Sequence, residues 1–476
     1  FDGIQPGETF TYEFDVRQNG TYWYHSHSGF QEQTGVYGSI VIDPREPDPV
    51  DYDRDHVVML SDWSDEKPER IYAKLKKQSD YYNFRERTAA DWWRDVKDKG
   101  YSQTRSQRAM WNEMRMSDRD LSDVTGYTYT FLMNGVTPDD GWLGLFERGE
   151  KVRLRFINGA AMTIYDVRIP GLKMSVVAAD GQNIEPVTVD EFRIGVAETY
   201  DVVVEPDADT AYTIFAQNID RSGFARGTLA ADANWRAEVP AMDPPVLLGH
   251  RDMGMDHGVH DMSAAADAAS MDRSGHGMHG IKQMRHSAQP GLGKAGHGSD
   301  APVSHSPAEY GPHVDMRAEK PRDGLHDPGI GLRDNQRLYG RRVLTYGDIR
   351  NLHRTEDARE PGREIQLHLT GNMSRYMWSF DGIKFADADP LQLEFGERVR
   401  ITLVNDTMMT HPVHLHGMWS EIETGDPDYI PRKHTLNVQP GGKIDYLVTA
   451  DAMGGWAYHC HLLYHMPGMF RKVQVS

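Results

Sequence analysis

The stretch "HCHLLYHMPGM" at residues 459–469 holds the only cysteine of the chain, Cys460, between two histidines. One cysteine cannot form a disulfide within the chain, so Cys460 is an inert thiol, a reactive thiol or a metal ligand. Successive side chains of a β-strand point to opposite faces, which puts His459 and His461 on one face and Cys460 on the other. This short segment is therefore expected to contact two different sites.

The cysteine face has the composition of a blue-copper site, in which two histidines and a thiolate surround copper with a weak axial methionine. His465 follows Cys460 closely and supplies one histidine. The other lies in "HPVHLHGMW" at 411–419, where His411 is three residues before His414 and so points to the opposite face. The pattern predicts one copper site formed by His411, Cys460 and His465.

A second group of candidate ligands consists of histidines only. The stretch "TYWYHSHSGF" at 21–30 adds two histidines that lie two residues apart and therefore on one face. A structural zinc site needs only four ligands in a closed tetrahedron, fewer than the nine candidates on the two faces, so we predict copper. The histidine-only group comprises His25, His27, His414, His416, His459 and His461.

The composition excludes several classes of function. Lys and Arg total 52 against 71 Asp and Glu, and the formal net charge of -19 disfavours binding to nucleic acid or to anionic membranes. No apolar run approaches the roughly 20 residues that a membrane-spanning helix needs. The sequence starts with "FDGIQPGETF" rather than with Met and a basic, apolar leader, so we expect that an export signal was removed or lies outside it.

The chain contains an internal repeat. Residues 5–27 align without a gap on residues 439–461, which predicts two copies of a strand, turn and strand unit. A third copy lies 247 residues before the last one, as in "ERGEKVRLRFIN" (147–158) and "EFGERVRITLVN" (394–405). This middle copy is predicted to hold no copper, because other residues replace its histidines. They are Ile164, Val167, Ile169, Thr213 and Phe215.

Short alternating strands separated by Gly and Pro are typical of β-sandwiches, so we predict an all-β fold of three related sandwiches. One interruption has helix-forming composition and is predicted to be a helical insertion with a packing role. Another is rich in Gly, Asp, Ser and Ala and is predicted to be a disordered linker. The predicted divisions are 1–48 for the first sandwich, 49–248 for the second with its insertion at about 66–120, 249–340 for the linker and 341–476 for the third.

The predicted linker is rich in potential copper ligands. Between Gly249 and Met316 it holds nine histidines and seven methionines. Thioether ligands suit Cu(I), and imidazole suits copper in either oxidation state. We interpret the segment as a copper-capturing region, with a solvated linker of biased composition as the alternative.

With these residues the chain resembles the multicopper oxidases, and among them the bacterial copper-resistance protein A group. The resemblance is carried by "HSHSGFQEQTGVYGSIVIDP", "HPVHLHGMW", "HCHLLYHMPGMF" and the Met/His-rich linker, and it extends over essentially the whole chain. It implies three cupredoxin-like Greek-key domains and up to four copper ions. These are a type 1 copper that accepts single electrons, and a trinuclear cluster of one type 2 and two type 3 coppers that reduces O2 to water.

The resemblance also implies a role for each candidate ligand. His411, Cys460 and His465 correspond to the type 1 ligands, and His414 to a type 2 ligand. The cysteine and its two neighbouring histidines gain a catalytic role, because electrons pass from the thiolate along the strand backbone to the cluster. The residues that correspond to type 3 ligands are His25, His27, His416, His459 and His461.

Two departures from the family pattern affect these expectations. Many relatives carry the axial methionine ten residues after the cysteine, but Phe470 holds that position here, so Met469 is the expected axial ligand and Met466 the alternative. A fourth family motif, an HxH early in the first domain, has no match before His25. We therefore expect the first sandwich to be truncated, and a polypeptide of these 476 residues to bind type 1 copper but to reduce O2 poorly.

The leading functional hypothesis is a periplasmic copper-resistance oxidase that acts on Cu(I), and on phenols as a further donor class. We expect a monomer with O2 as co-substrate and no nucleic-acid partner. The alternatives are a copper-sequestering or storage protein that works through the linker, and a structural array of cupredoxin domains. Five methionines near the type 1 motif favour Cu(I), although methionines are more often core residues. They are Met373, Met377, Met408, Met409 and Met418.

Overall fold

The computed structural model describes residues 3–254 and 292–476. Within these ranges the chain forms a two-stranded hairpin followed by two β-sandwiches, which confirms the predicted all-β class. None of the helices in the two ranges has the length and apolarity needed to cross a membrane.

The N-terminal unit is an antiparallel hairpin of β1 (Gly20–His25) and β2 (Tyr37–Ile42). The repeat predicts a strand before β1 as well, but residues 5–19 form none. Tyr12 and Phe14 are largely exposed there. A strand needs hydrogen-bonding neighbours, and none of the strands in the described ranges pairs with this segment. The first half of the predicted unit is therefore absent.

The second sandwich consists of two sheets. Its strands are β3 (Arg54–Trp63), β4 (Thr130–Met133), β5 (Trp142–Leu145), β6 (Val152–Asn158), β7 (Tyr165–Arg168), β8 (Met174–Ala179), β9 (Gln182–Val189), β10 (Glu191–Ile194), β11 (Thr199–Val204), β12 (Ala211–Asn218) and β13 (Phe224–Ala230). The sheets have the orders β4-β3-β6-β11-β8-β9 and β10-β7-β12-β13-β5. Every residue of β6 is buried, because this strand lies inside a sheet that is covered on both faces.

The third sandwich repeats this arrangement. Its strands are β14 (Arg322–Asp323), β15 (Arg363–Asn372), β16 (Met377–Phe380), β17 (Leu391–Leu393), β18 (Arg398–Asp406), β19 (His411–Leu415), β20 (Ser420–Ile422), β21 (Arg432–Lys433), β22 (Thr435–Val438), β23 (Gly442–Thr449), β24 (Gly454–Cys460) and β25 (Phe470–Val475). The orders are β16-β15-β18-β23-β20-β21, with β14 beside β23, and β17-β25-β24-β19-β22. Apart from β14, each strand has a counterpart in the second sandwich at the same place in its sheet.

The strand pairing corrects one part of the predicted alignment, which puts Thr213 and Phe215 at the positions of the HxH histidines. Val413 on β19 pairs with Cys460, whereas the residue 247 positions before Val413 pairs with Gln217. Gln217 therefore replaces the cysteine, and an alanine and an asparagine on either side of it replace the histidines. The loop before β12 has six residues, whereas the loop before β24 has four. The predicted alignment did not account for this difference in loop length.

Within residues 3–254 and 292–476, helices are confined to short segments around the sandwiches. The helices are α1 (Pro68–Leu75), α2 (Ala89–Lys99) and α3 (Tyr101–Met114) within the predicted insertion, and α4 (Asn335–Tyr339). Single-turn 3-10 helices lie at His250–Met253, Pro307–Tyr310, Tyr346–Asp348, Met373–Arg375 and Phe385–Asp387. A capping box at Thr88 starts α2. The insertion contacts the loop after Cys460, where Tyr72 and Tyr464 stack with ring centres 6.1 Å apart.

The segment at 249–340 differs from the predicted disordered linker over residues 292–340. This part packs on the third sandwich, where β14 pairs with β23 and where Met316 and Ala318 are buried. Residues 255–291, which contain most of the histidines and methionines of the segment, lie outside the described residues.

Candidate metal centres

The cysteine-containing group is assembled at the ends of two neighbouring strands. Val413 of β19 pairs with Cys460 of β24, which brings His411 next to the cysteine. A helical turn after β24 returns His465, whose amide bonds to the Leu462 carbonyl at 2.9 Å. Sγ of Cys460 lies 3.5 Å from Nδ1 of His411 and 3.8 Å from Nδ1 of His465, and the two nitrogens are 3.2 Å apart. The three ligand atoms converge on one point.

The other ring nitrogens of these histidines have fixed partners. Nε2 of His411 lies 2.7 Å from the Thr407 hydroxyl, and Nε2 of His465 lies 2.5 Å from a carboxylate oxygen of Asp123. Contacts of this kind orient metal-binding imidazoles, and here they leave each Nδ1 directed at the cysteine. Trp378 stacks on His465 with ring centres 3.9 Å apart and closes the site on that side.

The two axial candidates differ in burial. Met469 is fully buried, and its carbonyl accepts a hydrogen bond from the Cys460 amide at 3.1 Å. Met466 is only partly buried at the edge of the core. Phe470, ten residues after the cysteine, stacks on His459 with ring centres 5.4 Å apart. Of the two candidates, Met469 is therefore the more buried, and its backbone contacts Cys460.

The histidine-only group lies on the other side of β24 and divides into two sets. In the first set, Nε2 of His416 and Nε2 of His459 are 3.0 Å apart. The ring of His27 lies edge-on to both, with ring-centre separations of 5.1 and 5.2 Å. One ligand atom from each of these residues lies within 4.8 Å of the other two, so one metal ion can contact all three.

The second set combines His25 and His461, whose Nε2 atoms are 3.3 Å apart. Glu32 lies buried behind both rings, 3.2 Å from Nδ1 of His25 and 3.8 Å from Nδ1 of His461. His414 lies between the two sets, with ring-centre distances of 5.9 Å to His459 and 6.0 Å to His461. The structure thus brings all six histidines of the group together.

Burial keeps several of these histidines in the neutral form that binds metal ions. It lowers the pKa of His414, His459 and His461 well below the usual range, and repulsion between neighbouring imidazoles adds to this effect. Burial also lowers the pKa of His416 to about 3. Nδ1 of His459 lies 3.0 Å from the Cys460 carbonyl oxygen, which directs Nε2 into the group.

The donor chemistry of both groups fits copper. The nitrogens of His411 and His465 with the sulfur of Cys460 form the donor set of a blue-copper site. Burial raises the pKa of the Cys460 thiol in the metal-free chain, and a coordinated metal ion removes the thiol proton outright. The second group offers imidazoles, which suit copper in either oxidation state.

Some residues at these sites have no signal in the histidine motifs. Asp123 is separated from His465 by 342 positions, so no spacing rule can find it. The carbonyl of His434 lies 2.6 Å from Nδ1 of His414, and both residues line a cavity of about 320 Å³ beside the histidine group. The residues missed are Glu32, Asp123, Thr407 and His434.

Family models match the chain at both ligand-bearing regions and between them. Three models, each described as multicopper oxidase, match residues 1–47, 54–234 and 358–476. This chain belongs to the multicopper oxidase family. The copper resistance protein A of Escherichia coli is 57% identical over 496 residues, covering 100% of this chain and 80% of that protein. A copper resistance protein A homolog of Pseudomonas syringae pv. tomato is 57% identical over 490 residues, with the same coverage of 100% and 80%.

Solved structures confirm the cupredoxin-like fold of this multicopper oxidase. Fet3p, described as a multicopper oxidase that functions in iron import, matches with a TM-score of 0.56 at 16% identity, covering 97% of this chain and 73% of that one. The laccase from Botrytis aclada matches with a TM-score of 0.54 at 18% identity, covering 99% and 72%. The protein is a copper-dependent oxidase of the copper-resistance type.

Proposed function

We propose that this multicopper oxidase oxidises Cu(I) with O2 as the electron acceptor. The observation that carries the proposal is the position of Cys460, which faces one group of ligands while His459 and His461 on either side face the other. We take the cysteine group as the type 1 site, with Met469 as its axial ligand, and the histidine group as the trinuclear cluster. Copper bound in both groups supplies one-electron transfer at the first and four-electron reduction of O2 at the second.

The residues on the donor side restrict which reductants can approach. His465 is fully buried, so a donor molecule cannot touch its ring directly. Asp123 is buried beside this ring, with one carboxylate oxygen 2.5 Å from Nε2 of His465 and 3.1 Å from the Tyr376 hydroxyl. A carboxylate in this position attracts a cation to the edge of the type 1 site. A neutral phenol gains no such attraction.

A cavity of about 590 Å³ is lined by Asp120, whose carboxylate interacts electrostatically with Asp123. Burial and the neighbouring carboxylates raise the pKa of Asp120 well above its usual range. Thioether sulfurs of the lining suit Cu(I). The acidic and thioether residues of the lining are Asp80, Glu86, Asp120, Met116 and Met373, and Lys77 and Arg115 also line it.

The five methionines of the type 1 region have different environments. Met373, Met408, Met409 and Met418 are all buried in the hydrophobic core, which is the common role of methionine, and Met377 is partly buried. Met373 also lines the cavity of about 590 Å³, and Met418 also lines the cavity beside the histidine group.

Steady-state oxidation of Cu(I), compared with oxidation of a phenolic donor, tests the proposal. In a protein extended by an N-terminal segment that bears the HxH motif, we expect saturable Cu(I) turnover coupled to O2 uptake, with a higher kcat/KM than for the phenol. A strong preference for the phenol with no Cu(I) turnover would make the protein laccase-like and contradict the proposal.

Asp123→Asn is expected to lower kcat/KM for Cu(I) by about 10- to 100-fold, the range for residues that support metal ligands. The amide keeps the size of the side chain but loses the charge that faces His465. Bound copper per chain is expected to stay unchanged. The matched control is Asp98→Asn, on an exposed position of α2. Equal Cu(I) kinetics in the two variants would show that Asp123 has no role at the donor side.

We further propose that the protein is exported to the periplasm and acts as a monomer, in keeping with the copper-resistance class of its relatives. Cell fractionation and light scattering test these two points. Storage as the main function is not favoured, because the family models match the parts of the chain that carry the two ligand groups.

Deleting residues 256–290 separates oxidation from copper capture. The deletion spares residues 292–316, which pack on the third sandwich. We expect Cu(I) turnover to persist while the copper bound per chain falls, because the soft ligands of the segment are removed. Loss of turnover in proportion to the lost copper would instead indicate that storage is the primary function.

A further inference from the structure

A third cluster of potential metal ligands lies away from both copper groups. It includes His305 and Glu309 from the docked segment, which is the part at 292–340 that packs on the third sandwich. The other two members are His368 on β15 and Asp406 at the end of β18. One ligand atom from each residue lies within 4.8 Å of the others. None of the four residues belongs to the type 1 group or to the histidine group.

The carboxylates are held so that one oxygen of each faces the centre of this cluster. The backbone amide of Ser306 donates to Oε1 of Glu309 at 2.8 Å, and the amide of Ala318 donates to Oδ1 of Asp406 at 2.6 Å. The other oxygens, Oε2 and Oδ2, are left for the histidines. Both carboxylates are buried, with side chains at most 1% exposed.

The imidazoles complete the centre through their Nδ1 atoms. Nδ1 of His305 lies 2.7 Å from Oε2 of Glu309 and 3.4 Å from Oδ2 of Asp406. Nδ1 of His368 lies 2.7 Å from Oδ2 of Asp406 and 3.3 Å from Oε2 of Glu309. Nε2 of His368 lies 3.4 Å from the side-chain oxygen of Gln366, a contact that directs Nδ1 at the carboxylates. Each imidazole nitrogen therefore contacts an oxygen of both carboxylates.

This arrangement calls for positive charge at its centre. With neutral imidazoles the two buried carboxylates leave a charge of about -2, which is costly in a buried site. Nε2 of His305 is itself buried without a hydrogen-bond partner. One divalent cation balances the charge and replaces the protons between the four atoms.

We propose that this cluster binds one divalent transition-metal ion. A tetrahedral ion with ligands at about 2.0–2.1 Å places them roughly 3.3 Å apart, close to the two longer contacts. Two imidazoles with two carboxylates suit Zn2+ and Cu2+, and Cu2+ binds such sites more tightly. The ligand atoms are Nδ1 of His305, Nδ1 of His368, Oε2 of Glu309 and Oδ2 of Asp406.

The bound ion has a defined structural effect. His305 and Glu309 follow the Met/His-rich residues 255–291 in the chain, whereas His368 and Asp406 belong to the third sandwich. The ion therefore links residues 305–309 to the domain that carries the type 1 group.

Zn2+ is the probe for the test, because it prefers tetrahedral nitrogen and oxygen ligands and has no redox chemistry. Wild type and the double variant His305→Asn with Glu309→Gln are compared by equilibrium dialysis, both prepared free of copper because Cu2+ would occupy the cluster first. We expect wild type to bind one equivalent of Zn2+ more than the variant, and its Tm to rise more with Zn2+ concentration. Separate copper-loaded samples of both give the type 1 absorption. The matched control replaces His326 and Asp323, an exposed pair in the same segment, by asparagine.

Equal Zn2+ uptake by wild type and variant, with equal type 1 absorption to show that both are folded, would identify the cluster as an ion-paired network and overturn the proposal. If the double variant does not fold, Glu309→Gln alone and anomalous diffraction from zinc-soaked wild-type crystals decide the question. An anomalous peak between the four ligand atoms supports the site, and no peak there overturns it.

Discussion

Cys460→Ser is expected to abolish the blue absorption and to reduce Cu(I) and phenol oxidation to the uncatalysed background. Sγ of Cys460 is the only sulfur among the three strong ligands of its group, with His411 and His465 at 3.5 and 3.8 Å. A serine oxygen cannot give the thiolate bond that defines a blue-copper site. Copper in the histidine group is expected to remain, because its ligands are untouched.

The matched control for this variant is Tyr458→Phe, two residues earlier on the same face of β24. Tyr458 bonds through its hydroxyl to Tyr446, and the change removes that bond without touching a ligand. Optical spectra and turnover with both donors are the measurements. Blue absorption that persists in Cys460→Ser would refute the type 1 assignment.

In a protein extended by an N-terminal segment that bears the HxH motif, His416→Ala is expected to leave the blue absorption intact and to lower O2 reduction by more than about 100-fold, beyond the range for residues that only support ligands. His416 is one of three imidazoles in its set, with Nε2 3.0 Å from Nε2 of His459. Removing one ligand leaves a metal ion with too few donors in fixed geometry. Cu(I) is then expected to bleach the blue colour, and air is expected not to restore it.

His353→Ala is the matched control for the cluster variant, because His353 is exposed and belongs to none of the three groups. Bleaching and recovery in air, followed at the blue band, separate the donor side from the O2 side. Full recovery in His416→Ala would show that this histidine is not needed for O2 reduction.

The alternation of side chains along a strand is the reason why the sequence predicted so much of the candidate sites. Residues 459–461 occupy the end of one regular strand, and its pairing with β19 preserves the alternation in "HPVHLHGMW". Two short motifs therefore assign these side chains to the two faces on which the structure places them. The repeat extends this to the fold, because strands with equivalent patterns take equivalent places in both sheets.

Residues that support the ligands could not be predicted in this way. Asp123 reaches His465 from the connection after α3, and Glu32 reaches His25 and His461 from the loop after β1. These contacts depend on how loops pack, and loops have no periodic pattern that fixes where a side chain points. The contact between Asp123 and His465 can be found only from the three-dimensional structure.

The docked segment at 292–340 shows a second limit of sequence reasoning. Its composition is poor in large apolar residues, a pattern that favours disorder. It packs through small residues instead, since Ala295 is buried against Ile430 and Leu447. Gly296 has a φ of 83° and lies so close to Pro427 that a larger side chain would collide with it. Amino-acid composition predicts order or disorder from average properties, so it does not detect close backbone packing of this kind.

We propose that one strand separates a sulfur-containing copper site from a histidine-only copper site. The most direct test is electron paramagnetic resonance of the copper-loaded chain, recorded with its optical spectrum and copper content. We predict a type 1 signal that accompanies the blue band, disappears in Cys460→Ser and persists in His416→Ala. A copper-loaded chain with no type 1 signal, or a type 1 signal that is lost in His416→Ala and kept in Cys460→Ser, would contradict the account.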